Sequence, residues 1–463
     1  MNILFRGLLL SVMIYQITIP AVFTVENTND SGPDSLRQAI LDNNANAGLN
    51  TIEFDIPGAG PHTISPTTDL DRITNPVIIN GYSQDGAVPN SEFFGNNAVL
   101  QIIINGSNYT VGDGVSTGNG LTFGEGSSGS IVQGLCINEW IDCGILIDGF
   151  AGPANDISVF GNFIGTDVTG TSVLANRIGV GVSGDSTGVG PVSGTNIGDA
   201  GFENRNIIAG SWGHFVVDDY LLRGACISLF DHLDTEIYNN YIGTDGSGTV
   251  ALGNSQVGLY DRLGENTLIG GDIITQRNLV SGHFVYGMRI RDELNGSIIN
   301  NYVGTNLQGT ASSVSLGNSI QGIYFDGETT GVTVRNNLVS GNNGSGICVG
   351  DAFVLPGAEN NTFIANLIGT DVTGIQPLGN TYDGIIVNTP NNTIGEVGVE
   401  NLNVISNNGN NGITLTGDAS NTLVQNNHIG VDKFGIRNRG NANHGVQIGL
   451  QGGFAGASDN SII

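Results

Sequence analysis

The feature that most restricts this chain is a short segment that returns five times. It reads Gly161-Asn-Phe-Ile-Gly-Thr-Asp167, Asn239-Asn-Tyr-Ile-Gly-Thr-Asp245, Asn300-Asn-Tyr-Val-Gly-Thr-Asn306, Ala365-Asn-Leu-Ile-Gly-Thr-Asp371 and Asn426-Asn-His-Ile-Gly-Val-Asp432. Between its glycines (Gly165, Gly243, Gly304, Gly369, Gly430) the steps are 78, 61, 65 and 61 residues. A second unit lies inside each block and starts at Asn206, Asn278, Asn337 and Asn403. A third, glycine followed by apolar-any-apolar, begins at Gly120, Gly144, Gly179, Gly224, Gly287, Gly322, Gly346, Gly384, Gly412 and Gly445, with a departure in Gly258-Leu-Tyr-Asp261. Self-similarity at a fixed period is the signature of a stacked array and takes precedence over any single motif.

Apolar-any-apolar is a strand with one buried face. Each block therefore divides into two coils of about 30 residues, each with three short strands and three turns. Stacked coils sit ~4.8 Å apart, so each strand pairs in parallel with its counterpart one coil on. The asparagines before the apolar pair (Asn162, Asn240, Asn301, Asn366, Asn427) suit a tight turn, because asparagine tolerates the left-handed region. Stacked, their amides form a ladder. The expected fold is all-β: a parallel β-helix. Composition agrees, since 73 glycines in 463 residues is too much turn former for a helical bundle or a doubly wound α/β domain. A net charge of −28 with Lys433 as the one lysine argues against nucleic acid, whose backbone demands clustered cations.

The N-terminus reads as an export signal over residues 1–21: Arg6, an apolar run from Gly7 to Tyr15, then Pro20-Ala21. The run is short for a membrane span and no later segment is long enough for one. The expected location is secreted or at the cell surface. Four cysteines (Cys136, Cys143, Cys226, Cys348) are too few for a disulfide scaffold and have no zinc spacing, although Cys136 and Cys143 are near enough to pair.

The repeats over roughly residues 75–463 resemble the right-handed parallel β-helix proteins of the pectate-lyase-like superfamily. Phe23 to Gly58, with Ser35-Leu-Arg-Gln-Ala-Ile40 at its centre, is similar to the leader of secreted bacterial β-helix repeat proteins, where it caps the helix. Here Ser35 and Gln38 have capping-box spacing, and Leu36, Ala39 and Ile40 form one apolar face. The division expected is a signal peptide to residue 21, a cap over 22–75 and the β-helix over 76–463. The chain ends at Ile463, where a new strand should begin, so the β-helix is expected to be incomplete there, the chain being either a fragment or one that leans on a further C-terminal domain.

The middle residue of each glycine-led strand should face outward. That column reads Thr122, Leu146, Gly181, Cys226, Tyr260, Arg289, Tyr324, Cys348, Ile386, Thr414, Gln447, and two positions on come Asp148, Ser183, Ser228, Arg262, Arg291 and Asp326. Three successive coils thus present Tyr260/Arg262, Arg289/Arg291 and Tyr324/Asp326. Rings that stack on sugars beside cations that grip oxygens form a candidate glycan groove; ordinary cross-strand packing produces the same pattern. Asp261 falls where Phe325 and Val387 point inward, which makes it either a desolvated acid of catalytic interest or a residue beyond an early strand end. The 78-residue block carries an insertion near Trp212 to Leu222, with Asp218, Asp219 and Arg223 as candidate acid, base and cation for sugar chemistry.

The superfamily resemblance implies two competing roles: a rod that binds extracellular polysaccharide, adhesin-like, and a carbohydrate-active enzyme. A purely structural surface rod is the third. Lyases of the superfamily use lysine or arginine, often with calcium, and only Arg262, Arg289 and Arg291 are placed for that. Ser281-Gly-His-Phe-Val-Tyr-Gly-Met-Arg-Ile-Arg-Asp292 faintly echoes the glycosidase motifs, but its repeat partner at Ser340 shows an ordinary coil with His283 in an asparagine slot. No cofactor is implied and no metal set is read from the motifs. Calcium stays open only through the recurring acidic turns at Asp167, Asp245, Asp371 and Asp432, each a single carboxylate.

Overall fold

A computed structural model describes residues 20–110, 118–185, 190–213, 224–253, 256–313, 315–350, 357–449 and 457–463. The described chain winds into a right-handed parallel β-helix with three sheets of 14, 12 and 12 strands. The first sheet runs from Val22–Val25 to Ser461–Ile462, and the second from His62–Ile64 to His428–Ile429. The third is the glycine-led sheet, from Leu121–Phe123 to Val446–Ile448. Every pairing between named strands is parallel, one coil to the next: Tyr241–Ile242 lies between Ile207–Ile208 and Leu279–Val280. The Gly-Thr-Asp segments and the Asn-Leu-Val-Ser segments are therefore alternate rungs of the second sheet, which is why one block makes two coils.

Inward residues of all three sheets fill one continuous apolar column, with Ile323, Phe325, Val334, Val339 and Ile347 adjoining in its middle. The helix Leu36–Ala45 packs beside the first strands, and Leu36, Ala39 and Ile40 enter the same column. Its N-cap Ser35 hydroxyl accepts from the Gln38 amide at 3.2 Å. Strands Val22–Val25, Asn50–Phe54 and Val77–Asn80 are already consecutive members of the first sheet, so the stack begins inside the segment set apart as a cap. The leader over residues 1–21 lies almost wholly outside the described residues. No described helix is long and apolar enough to cross a membrane. All four cysteines are buried thiols, and Cys136 and Cys143 are not joined by a disulfide.

The asparagine ladder is present and denser than the five-fold motif alone implies. Asn206, Asn240, Asn278, Asn301, Asn337, Asn366 and Asn403 each donate from Nδ2 to the next Oδ1 in turn, ending on Asn427, at 2.8–3.1 Å. Each such amide also donates to a backbone carbonyl, as Asn337 does to Ile298 at 2.8 Å. The left-handed residue of the turn is not the ladder asparagine but the one before it: Asn239, Asn300, Asn336, Ala365 and Asn426 have φ between 53° and 60°. That division corrects the single role given to asparagine here. The left-handed residue turns the chain, and its successor is spared strain so that its amide can bridge coils.

A second ladder joins Asn318, Asn342, Asn380, Asn408 and Asn441 at 2.9–3.0 Å. His283 stands in its next position, where its backbone N–H donates to Asn318 Oδ1 at 3.2 Å and its ring lies 3.2 Å from the Ile242 carbonyl. The recurring acidic turns close surface loops: Asp167 Oδ1 accepts from the Thr171 and Ser172 amides, and Asp371 Oδ1 from those of Ile375 and Gln376.

Two predictions follow from the ladders. Asn337→Ala leaves buried carbonyls and a neighbouring amide without partners, and should lower stability by about 2 kcal/mol in guanidinium denaturation. Glu328→Ala, on an exposed turn, should change it by less than about 0.5 kcal/mol. Burial lowers the His283 pKa to about 4. An unfolded imidazole, near 6.5, takes up its proton first, so this contribution to stability is complete above about pH 6.5 and fades as pH falls toward 4, by up to about 3 kcal/mol. His283→Asn should remove that component, read as a shallower fall of Tm from pH 7 to pH 4 than in the unaltered chain.

Candidate functional site

Parallel pairing assembles the tyrosine–arginine ladder from three strands, Val257–Glu265, Tyr286–Arg291 and Gln321–Asp326. Tyr260, Arg289 and Tyr324 are register partners, as are Arg262, Arg291 and Asp326. The Arg289 guanidinium carbon lies 5.3 Å from the Tyr260 ring centre and 5.9 Å from that of Tyr324. Arg289 Nη2 donates to Asp326 Oδ2 at 2.5 Å, and Arg291 Nη1 is 3.9 Å from the same oxygen. Tyr286 adds a fourth member, its ring centre 4.8 Å from that of Tyr324.

These groups lie on the outer face, but they are not open to solvent as the sequence implies. Tyr260 is 3% exposed and Arg289 5% exposed, while Tyr324, Tyr286, Arg262 and Arg291 are half-buried. The outer column also differs at one strand. Cys226 sits opposite Gly179 and Gly258, at a core position, and Ser228 pairs with Gly181 and Tyr260. Phe230 therefore takes the place expected for Ser228, and the Arg262 guanidinium carbon lies 5.4 Å from its ring centre. The slip arises because Gly224 lies two residues before the repeat's glycine slot, which Cys226 occupies in the strand Ala225–Leu233.

Asp261 is inward and inside its strand, paired with Leu229 and Ile290, and 1% exposed. His232 Nε2 lies 2.9 Å from its Oδ1, and His232 Nδ1 is 2.9 Å from Thr235 Oγ1. Glu293 completes the group: it accepts from the Thr267 amide at 3.0 Å and from the Thr267 hydroxyl at 2.9 Å. Burial, with the Asp261 charge beside it, raises the Glu293 carboxyl to about 9. A carboxylate so enclosed does not meet a polymer in this conformation. Asp218, Asp219 and Arg223 lie outside the described residues.

A cleft on the first sheet, not anticipated from the motifs, encloses about 610 Å³ with its open solvent and is lined by Phe160, Asn196, Asp199, Glu236, Tyr238 and Gln276. Asn196 pairs with Ser158 on one side and with Glu236 on the other. Continued by two residues, that register puts Gly198 between Phe160 and Tyr238. The two aromatic residues thus belong to strands about 9.6 Å apart, and the residue between them on the middle strand has no side chain. Gly198 has φ 82°, and a Cβ there would strike the Tyr238 carbonyl. Burial, with Glu236 and Asp199 nearby, raises the Tyr238 hydroxyl above its ordinary range and keeps it protonated. The signal was available: the column reads Phe160, Gly198, Tyr238, Gly270 once coils are aligned. A smaller cleft of about 310 Å³ on the second sheet lies between Phe93, Phe94, Tyr241, Ile274 and Arg277.

No protein-family model matches the sequence, and no curated protein is similar to it. Among solved structures, the A-module of a mannuronan C-5 epimerase from Azotobacter vinelandii is similar at 13% identity over 88% of this chain and 77% of that one, with a TM-score of 0.36. The Dettilon tailspike protein is similar at 12% over 92% and 68%, TM-score 0.44. PfbA, a surface adhesin of Streptococcus pneumoniae, is similar at 10% over 93% of both chains, TM-score 0.41.

The ladder's internal bonding yields its own prediction. Arg289→Met removes the principal partner of a mostly covered carboxylate, and should cost about 3 kcal/mol in guanidinium denaturation. Adding Asp326→Leu should recover most of that loss, because the stranded charge goes with it.

Proposed function

We propose that the chain is an exported or surface-displayed rod that binds an extracellular polysaccharide along its sheets. The principal subsite is the Phe160–Tyr238 cleft, and the ladder edge formed by Tyr286, Tyr324, Arg262 and Arg291 is a second contact face. The observation that carries this reading is the gap at Gly198. Two aromatic side chains flank an open space, and carboxylate, amide and phenol groups ring it, the mixture of apolar faces and hydrogen-bonding edges that a sugar ring presents in return. A parallel solenoid repeats its surface along the axis, which suits a repeating polymer more than a small ligand. The arginines of the ladder are suited to the carboxylates of an acidic polysaccharide.

One feature favours a second reading, hydrolysis: Asp199 and Glu236 border the same cleft, and paired carboxylates carry out glycoside cleavage. A glycan array followed by calorimetry separates the two. Binding should weaken at least tenfold, about 1.4 kcal/mol, in Phe160→Ala and Glu236→Gln. It should weaken less, roughly threefold, in Tyr324→Ala, a loss of about 0.7 kcal/mol. Wild-type binding in all three variants would refute the proposal. Reducing ends released from the bound glycan and lost in Glu236→Gln would replace binding with hydrolysis.

A further inference from the structure

We propose that His232, Asp261 and Glu293 form an interior site for one divalent transition-metal cation, with Zn2+ as the ion that their donor set favours. The three residues come from three successive coils. His232 pairs with Gly264, and Glu265 and Leu294 bridge in parallel, so Glu293 stands one coil beyond Gly264 at the same corner. Asp261 belongs to the middle coil and points inward beneath that glycine. The nearest donor atoms of the three side chains lie within 4.8 Å of one another, and this is the one such cluster among the described residues.

Gly264 makes the convergence possible. A Cβ at this position would strike Glu293 Oε2, and would lie 2.7 Å from Asp261 Oδ1 and 2.8 Å from His232 Cε1. The stack otherwise holds ordinary residues at these places. Asp261 aligns with Leu229, Ile290 and Phe325. Asp261 thus stands in an apolar column, at the point where His232 and Glu293 of the adjacent coils converge on it.

A separate observation points to a cation. Asp261 Oδ2 is buried and has no hydrogen-bond partner, although its residue is 1% exposed. Unpaired carboxylate oxygens in an interior are costly and rare. Metal ligands bind deprotonated, and as ligands two carboxylates and one imidazole would supply two negative charges, which one divalent cation neutralises. The outer contacts are those expected around a metal: Thr235 orients His232 through Nδ1, and Thr267 holds both oxygens of Glu293. Calcium prefers six to eight oxygens, whereas three protein donors that include an imidazole suit four-coordinate zinc, with water in the remaining position. Buried from solvent, the ion would fasten three coils together rather than meet a substrate.

The test uses the full chain, unfolded with chelator, refolded with Zn2+, Mn2+, Ca2+ or no metal, and desalted. The expected result is about one zinc per chain by elemental mass spectrometry, with Tm higher by roughly 5 °C than in the metal-free refold. Asp261→Asn and Glu293→Gln, checked for fold by circular dichroism, should retain less than a tenth of that zinc. Less than a tenth of an equivalent in the unaltered chain, with Tm independent of metal, would overturn the site and leave the trio joined by a shared proton. Full zinc content in both variants would place the ion elsewhere and overturn it equally. Should the variants fail to fold, the comparison of unaltered chain refolded with and without zinc decides.

Discussion

The structure depends on one constraint: each coil must lie over the last in fixed register. A coil of about 30 residues has no core of its own, because its inward side chains are enclosed only when neighbours cover them above and below. Backbone pairing between parallel strands sets the spacing but leaves the corners, where the chain turns and its polar groups would otherwise be buried unmet. The asparagine ladders resolve this. Each Asn amide satisfies a carbonyl of one coil and passes a hydrogen bond to the amide of the next, as Asn278, Asn301 and Asn337 do in sequence. A slip of one residue would break every rung at once, so the ladder fixes register as well as adding stability.

Fixed register also explains how distant residues come to share chemistry. Tyr260, Arg289 and Tyr324 span 65 positions of sequence yet touch, because each is the outward residue of its strand. His232, Asp261 and Glu293 meet by the same rule on the inner side. In both cases a local departure from the repeat stands next to another on the adjoining coil. Glycine has a matching role at two of these places: Gly198 leaves a gap on the outside between two rings, and Gly264 leaves one on the inside between three ionisable groups. Removal of a side chain from a tightly stacked column is the one way such a fold gains space without breaking its pairing.

The coil was legible in the sequence because its signals are local and repeated: apolar alternation, glycine at strand entry, and asparagine at the corner. The helix was legible too, since Ser35 and Gln38 supply the cap and Leu36, Ala39 and Ile40 the buried face. The ladder partners could be named from alignment of coils, but not how deeply each is buried. Hence Tyr260 and Arg289 read as open groove residues and prove nearly enclosed. Cys226 misled because a glycine two residues earlier imitates the strand entry. Glu293 went unnoticed because it lies past the end of its strand, where the alternation that aligned the other residues stops. Asp261 alone hinted at the interior group, through its polar character in an apolar column.

Register is tested most directly by crosslinking across it. Cys348 pairs with Ile386 on the neighbouring coil, both on the outward column, whereas Val387 pairs with Val349 and points into the central apolar column. Adjacent parallel strands bring Cα atoms to about 5 Å, within disulfide range. Mild oxidation of Ile386→Cys should give the Cys348 crosslink in high yield by mass spectrometry, and Val387→Cys should give almost none. Equal yields, or a crosslink through position 387 alone, would contradict the stacked arrangement.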